Sequence, residues 1–176
     1  MSYVTASLLF RRSLRFLVCL MLALTMLVPA SGACAADQKA DSGSLKPIHT
    51  YELLDMLADD HGKVILVNFF ASFCGPCRRE IPELMQLRRE ISEKDLVIVG
   101  IAIDQDIREA EDFVKSLGVQ EVYPVFYGGE ELARSYRIDA IPFNVIYNRQ
   151  GRIEVSEAGY VPSEDMKNFL MELIRR

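Results

Sequence analysis

The sequence predicts an α/β domain in which a mixed central sheet is covered by helices on both faces. Three observations carry this. Val64-Ile65-Leu66-Val67-Asn68-Phe69-Phe70 and Leu96-Val97-Ile98-Val99-Gly100-Ile101-Ala102-Ile103 are near-continuous apolar runs of strand length, which suits strands buried on both faces. A stretch with helical periodicity follows each of them. Phe143–Tyr147 and Arg152–Glu157 then read as two strands joined by the turn Asn148-Arg149-Gln150-Gly151, with a closing helix behind them.

In chain order, Thr50 is the expected N-cap of a helix through Tyr51-Glu52-Leu53-Leu54-Asp55-Met56-Leu57 that stops at His61-Gly62. The Val64–Phe70 strand leads into a long helix from Gly75 to Ile91, with Ile81, Leu84, Leu87 and Ile91 on one stripe. Pro82 is expected to kink it, because proline has no amide and crowds the preceding turn. After the Leu96–Ile103 strand, Glu109–Leu117 reads as a helix closed by Gly118. Tyr123–Phe126 reads as a short extended piece and Glu130–Tyr136 as a helix. Ser163 is expected to cap the last helix, Glu164–Ile174, whose C-terminal end suits Arg175 and Arg176. One domain is expected over 48–176, with no internal repeat.

Residues 1–36 do not read as part of that domain. Arg11, Arg12 and Arg15 precede an apolar stretch from Phe16 to Val28, then Pro29 and the small residues 30–36, the order of a secretory signal. Thirteen helical residues reach roughly 20 Å, short of the ~30 Å hydrocarbon core, which weighs against a permanent anchor. Two fates are open for Cys34. Cleavage after Ala35 would discard it, whereas Ser31-Gly32-Ala33-Cys34 resembles a bacterial lipoprotein box in which the cysteine carries the lipid. Asp37–Pro47 reads as a polar linker. Either fate of Cys34 exports the domain, to the bacterial periplasm or the outer face of the cytoplasmic membrane. The membrane is met only through a lipid on Cys34 or an uncleaved signal. Removing residues 1–36 takes away three arginines and no acids, which leaves 17 basic against 25 acidic side chains. A net charge of −8 with no basic stripe speaks against a nucleic-acid partner.

Cys74 and Cys77 are then the only cysteines of the body. In Cys74-Gly75-Pro76-Cys77 they stand at a helix start, close enough to bond, where free amides and the helix dipole favour a thiolate. Cys74 is the candidate nucleophile and is expected to be partly exposed; Cys77, one turn in, is the shielded resolving thiol. Zinc would need two more ligands, and only His49 and His61 exist, both upstream. A purely structural disulfide closing so tight a loop would stabilise little. A cysteine–histidine hydrolase would rest on His61, which reads as a helix end. Gly128-Gly129 matches no phosphate loop. No cofactor and no metal is expected. Ile141-Pro142 marks an edge or bend before the Phe143 strand, and since few X–Pro bonds are cis, the residues alone point to trans.

Three blocks of this chain resemble the thioredoxin superfamily, and specifically its exported TlpA/ResA-like branch: 67–84 around the cysteines, 136–142 ending in Ile141-Pro142, and the 148–153 hairpin. The resemblance implies the thioredoxin fold, dithiol oxidoreductase activity, and a cis Ile141–Pro142 bond beside the cysteines. It also implies that the Ile141 backbone pairs with a bound client strand. Cytoplasmic thioredoxins carry a buried Asp where Asn68 stands, whereas the exported branch has Asn. Glu80, the nearest acid to Cys77, is then the candidate acceptor of its proton, the alternative being a solvated helix acid. Arg78 and Arg79 would support the thiolate electrostatically. Tryptophan is common in the family at Phe70 and Phe73, and threonine at Phe143; Phe73, Ile141 and Pro142 are the expected client-binding residues.

The function expected is that of an exported reductant of disulfides in client proteins, re-reduced by a membrane electron donor. The branch includes proteins that reduce apocytochrome c during cytochrome c maturation. A disulfide oxidase or isomerase of the same fold and a non-enzymatic binding module are the alternatives. A peroxidase of peroxiredoxin type lacks its proline–threonine–cysteine signature here.

Overall fold

The computed structural model describes residues 44–176. The signal expected over 1–36, the fate of Cys34 and the linker up to residue 43 lie outside the described residues. The elements are β1 (Lys46–Pro47), α1 (Thr50–Asp59), β2 (Val64–Phe70), α2 (Gly75–Glu90), β3 (Leu96–Ala102) and α3 (Ile107–Leu117). A short 3-10 turn (Val119–Glu121) follows, then β4 (Val125–Tyr127), α4 (Gly129–Ser135), β5 (Phe143–Tyr147), β6 (Ile153–Ala158) and α5 (Ser163–Arg175). They form one six-stranded sheet in the order β1-β4-β3-β2-β5-β6. β1, β4, β3 and β2 run parallel, β5 is antiparallel to β2, and β6 is antiparallel to β5.

β2 is central, and all seven of its residues are buried, as its unbroken apolar run predicts. Side chains alternate between faces along it. Leu66 and Phe70 enter a core with Ile81, Leu84 and Leu87 of α2, Phe113 of α3, and Leu170 and Leu173 of α5. Ile65, Val67 and Phe69 enter a second core with Leu53 of α1 and Leu132 of α4. Both faces of the sheet are therefore covered, as expected. The 148–151 turn is also as read: Asn148 Oδ1 accepts from the amides of Gln150 and Arg152 at 3.0 Å each, and Gly151 takes φ 72°. Gly118 closes α3 in the left-handed conformation.

Three expectations need correction. The last residues of the proposed linker belong to the fold: Leu45 is 1% exposed, and Lys46–Pro47 pairs with Phe126–Tyr127. The physical cause is burial of one leucine among polar neighbours, worth about 2 kcal/mol, with its amide held by Glu111 Oε1 at 3.1 Å. His49, not Thr50, caps α1, its amide donating to Glu52 Oε2 at 2.8 Å. Thr50 is already helical, and its hydroxyl donates to Glu131 Oε1 on α4. Ser163 makes no cap bond, because Pro162 takes that place and its carbonyl accepts the Met166 amide at 3.0 Å. α2 continues through Pro82 to Glu90.

Among the described residues no helix is long and apolar enough to cross a membrane.

Candidate active site

β2 delivers the chain to a short loop whose amides are held in place before α2 begins. The Ser72 amide donates to the buried Asp104 Oδ1 at 2.9 Å, and the Cys74 amide to the Ala71 carbonyl at 3.1 Å. Cys74 is the N-cap of α2, and Pro76 sits in the first turn, where a missing amide costs nothing. Cys74 and Cys77 form a disulfide with Cα atoms 5.3 Å apart. The Cys77 amide donates to Cys74 Sγ at 3.2 Å, so a free helix-end donor points at that sulfur. Cys77 is fully buried and Cys74 is 5% exposed. Cys74 is the more accessible of the two, yet far less open than expected. It is bonded to its partner and belongs to the same core as Phe70 and Ile81. The exposed group of the loop is Phe73, with 73% of its surface free.

The Ile141–Pro142 bond is cis, as the resemblance implied and the residues alone did not. Register pairs Phe143 with Phe69, which brings Pro142 level with Phe70, where the chain departs for the cysteines. The Pro142 carbonyl accepts the Gly159 amide at 2.8 Å. Ile141 is half-buried, and its side chain packs against both cores.

Glu80, one turn beyond Cys77, is no solvated acid: it is 1% exposed. Its Oε2 accepts Asn68 Nδ2 at 2.8 Å. Its Oε1 accepts Asn144 Nδ2 at 3.1 Å and the Val161 amide at 3.3 Å. Asn68 Nδ2 also donates to Asn144 Oδ1 at 2.9 Å, which closes a triangle of three buried side chains. Burial pushes the Glu80 pKa above the usual carboxylate range, and nearby Glu83 adds to this; the donors from Val161, Asn144 and Asn68 oppose it. The result is a carboxyl group easier to protonate than an ordinary one.

The arginines are occupied elsewhere. Arg78 Nη2 donates to the Ser72 carbonyl at 2.8 Å while its guanidinium lies 4.6 Å from the Phe113 ring centroid. Arg79 lies 3.9 Å over the Tyr160 ring, and the Tyr160 hydroxyl donates to Glu83. They brace the loop and the helix face, and the expected support of the thiolate is not their main contact.

Asn144, Asp104 and the Val161 amide were not anticipated. A signal for Asn144 did exist: Asn68 and Asn144 are each the one amide in an otherwise apolar strand, and the two are register partners. Among the described residues no group of three or more His, Cys, Asp or Glu side chains could hold a metal ion.

The arrangement can carry thiol–disulfide exchange, and comparison with known proteins agrees. Residues 35–170 match the Redoxin family. The thiol-disulfide oxidoreductase ResA of Bacillus thuringiensis is 24% identical over 117 residues, 66% of this chain and 67% of the relative. Sporulation thiol-disulfide oxidoreductase A of Bacillus subtilis is 25% identical over 146 residues, 80% of this chain and 87% of the relative. Among solved structures, a thiol:disulfide interchange protein of the thioredoxin family from Chlorobium tepidum superposes with a TM-score of 0.60 at 28% identity. That match covers 66% of this chain and 83% of the other. The sheet and its helices have the thioredoxin fold.

Proposed function

The chain belongs to the Redoxin family and is a thiol–disulfide oxidoreductase of the ResA-like kind, and we propose that it works outside the cytoplasm as a reductant of disulfides in client proteins. The observation that carries this reading is the Cys74–Cys77 disulfide at the start of α2, with a cis-proline beside it and a buried carboxylate one turn beyond.

In the proposed cycle the Cys74 thiolate attacks one sulfur of a client disulfide, and the other client sulfur leaves as a thiolate. The client strand lies against the Ile141 backbone, Pro142 and the exposed Phe73. Glu80 takes the proton of Cys77, whose sulfur then attacks Cys74 Sγ and expels the second client thiolate. Two electrons pass from the cysteine pair to the client, and the pair is left oxidised. A membrane dithiol donor restores it by the reverse exchange, which an oxidising compartment makes necessary.

Export rests on the signal-like residues 1–36, with Cys34 either lipidated or removed. The bacterial periplasm or the outer face of the cytoplasmic membrane is the proposed location. Apocytochrome c, whose paired cysteines must be reduced before haem attachment, is the proposed client. The same fold run as a disulfide oxidase or isomerase is the competing reading, and the reduction potential separates the two.

Cys77→Ser leaves the mixed disulfide unresolved, so clients should accumulate on Cys74 and be released by dithiothreitol. Exported proteins with paired cysteines, apocytochrome c among them, are expected in the trapped set. An empty trap, or one undiminished when Cys74 is also replaced by Ser, would overturn the proposal.

A further inference from the structure

Two buried oxygens beside Glu80 bond to nothing among the described residues: Asn68 Oδ1 and the Tyr123 hydroxyl. Asn68 is fully buried and Tyr123 is 3% exposed. Tyr123 lies between the 3-10 turn and β4, and its ring packs in the same core as Cys74, Cys77 and Phe70. What admits it is Gly100. A Cβ at that position would stand 3.3 Å from Tyr123 Cε2 and 3.2 Å from Phe70 Cε1. Gly100 is the register partner of Asn68, so the phenol ring covers the position one strand spacing, about 4.8 Å, from Asn68.

The two orphan atoms are complementary. A phenol can donate, and an amide oxygen can only accept. We propose that Tyr123 is a positioning residue: its hydroxyl donates through one bridging water to Asn68 Oδ1, and so fixes the amide orientation that turns Nδ2 toward Glu80.

The consequence follows from proton counting. Both Nδ2 protons of Asn68 are spent, one on Glu80 Oε2 and one on Asn144 Oδ1. In the flipped amide Oδ1 would face Glu80, and only a protonated carboxyl could satisfy it. Amide orientation and the Glu80 proton are therefore coupled, and a donor on Oδ1 weights the pair toward the carboxylate. Successive hydrogen bonds, hydroxyl to water to amide to carboxylate, polarise one another. The groups facing Glu80 are Asn68 from β2, Asn144 from β5, the Val161 amide ahead of α5, Glu83 on its own helix, and Tyr160 and Tyr123. Burial, and secondarily the Glu80 charge, pushes the Tyr123 phenol far up, so it stays a donor at any working pH.

The hydrogen-bond chain stands by itself; its bearing on turnover rests on the reading of Glu80 as the base for Cys77. The test separates the two. In the oxidised full chain, the Glu80 carboxyl carbon is titrated by NMR and assigned by its loss in Glu80→Gln. Tyr123→Phe keeps the ring over Gly100 and removes only the donor. It should raise the Glu80 midpoint by about 0.5 pH unit, a fraction of what losing a donor to the carboxylate itself would give, because the hydroxyl acts through Asn68. A fluorotyrosine at position 123, a stronger donor of the same shape, should move it down. A midpoint unmoved by either change would overturn the proposal. The pH profile of client release from the reduced enzyme should then shift with the midpoint. A moved midpoint with an unmoved release profile would uphold the hydrogen-bond chain and sink the reading of Glu80 as the base.

Discussion

Replacing Glu80 by Gln isolates the second half of the exchange, and the size of the effect can be worked out in advance. Cys77 must become a thiolate to attack Cys74. Unassisted, a thiol with a pKa of about 8.5 is only about 3% thiolate at pH 7. A release step deprived of its base should therefore slow about 30-fold at pH 7, within the lower reach of general-base contributions. The deficit should shrink about tenfold for each pH unit gained, as hydroxide replaces the missing base and the thiolate fraction climbs. The intact enzyme should lose release activity only when pH falls through the raised pKa of Glu80. Rapid mixing of reduced protein with a disulfide peptide, acid quenching and mass spectrometry would count the mixed disulfide directly. Its formation by Cys74 should change by less than twofold and its lifetime should lengthen. An unchanged lifetime at pH 7, or a deficit as large at pH 9 as at pH 6, would refute the reasoning.

In the reduced protein, iodoacetamide at neutral pH should label Cys74 faster than Cys77, since the helix-end amide points at Cys74 Sγ and Cys77 is wholly covered; mass mapping that finds equal rates would reverse the assignment. The pair should equilibrate with glutathione buffers at about −220 to −300 mV, toward thioredoxin and away from DsbA-type oxidants, because Ile141 gives the thiolate an apolar neighbour without an extra donor; a midpoint near −120 mV would favour the oxidase reading. Glu80 also sets a pH dependence of stability. Its folded-state pKa is raised, so the folded state holds that proton more tightly than the unfolded chain does. The stability of the wild type relative to Glu80→Gln should be greatest below the ordinary carboxylate pKa and should fall as pH rises through the raised value. Urea titrations of both proteins from pH 4 to 8 would check this, and a difference that grows with pH in the wild type's favour would contradict it.

The sheet was legible because its signals are local. The Val64–Phe70 and Leu96–Ile103 runs and the stripe on α2 need no distant partner to be recognised. β1 was missed because two residues cannot display a period, and the burial of Leu45 is decided by Glu111 on α3, 66 residues away. The cysteine pair could be read from spacing alone. The burial of Glu80 could not: on the α2 surface pattern it is one acid among several. Its surroundings come from Asn144, 64 residues downstream, and Val161, 81 downstream. Tyr123 was equally silent, since the gap it fills is created by a missing side chain at Gly100 on β3. The cap of α5 was misread by one residue, since serine is the better capping side chain but Pro162 already holds the extended backbone.

The four residues Gly159–Pro162 that join β6 to α5 leave the chain no slack. One amide reaches the Pro142 carbonyl, a second reaches Glu80, and the Tyr160 hydroxyl between them is tied to Glu83. Gly159 makes the turn with φ 119°, a conformation that side chains resist. Surface connections ordinarily absorb inserted or deleted residues with little consequence. This one would not: a single added residue would slide both amides off their acceptors at once. Length, more than composition, is what drift in this connection has to preserve, and related sequences that differ freely at Tyr160 and Val161 should still agree in the count of residues between the hairpin and the last helix.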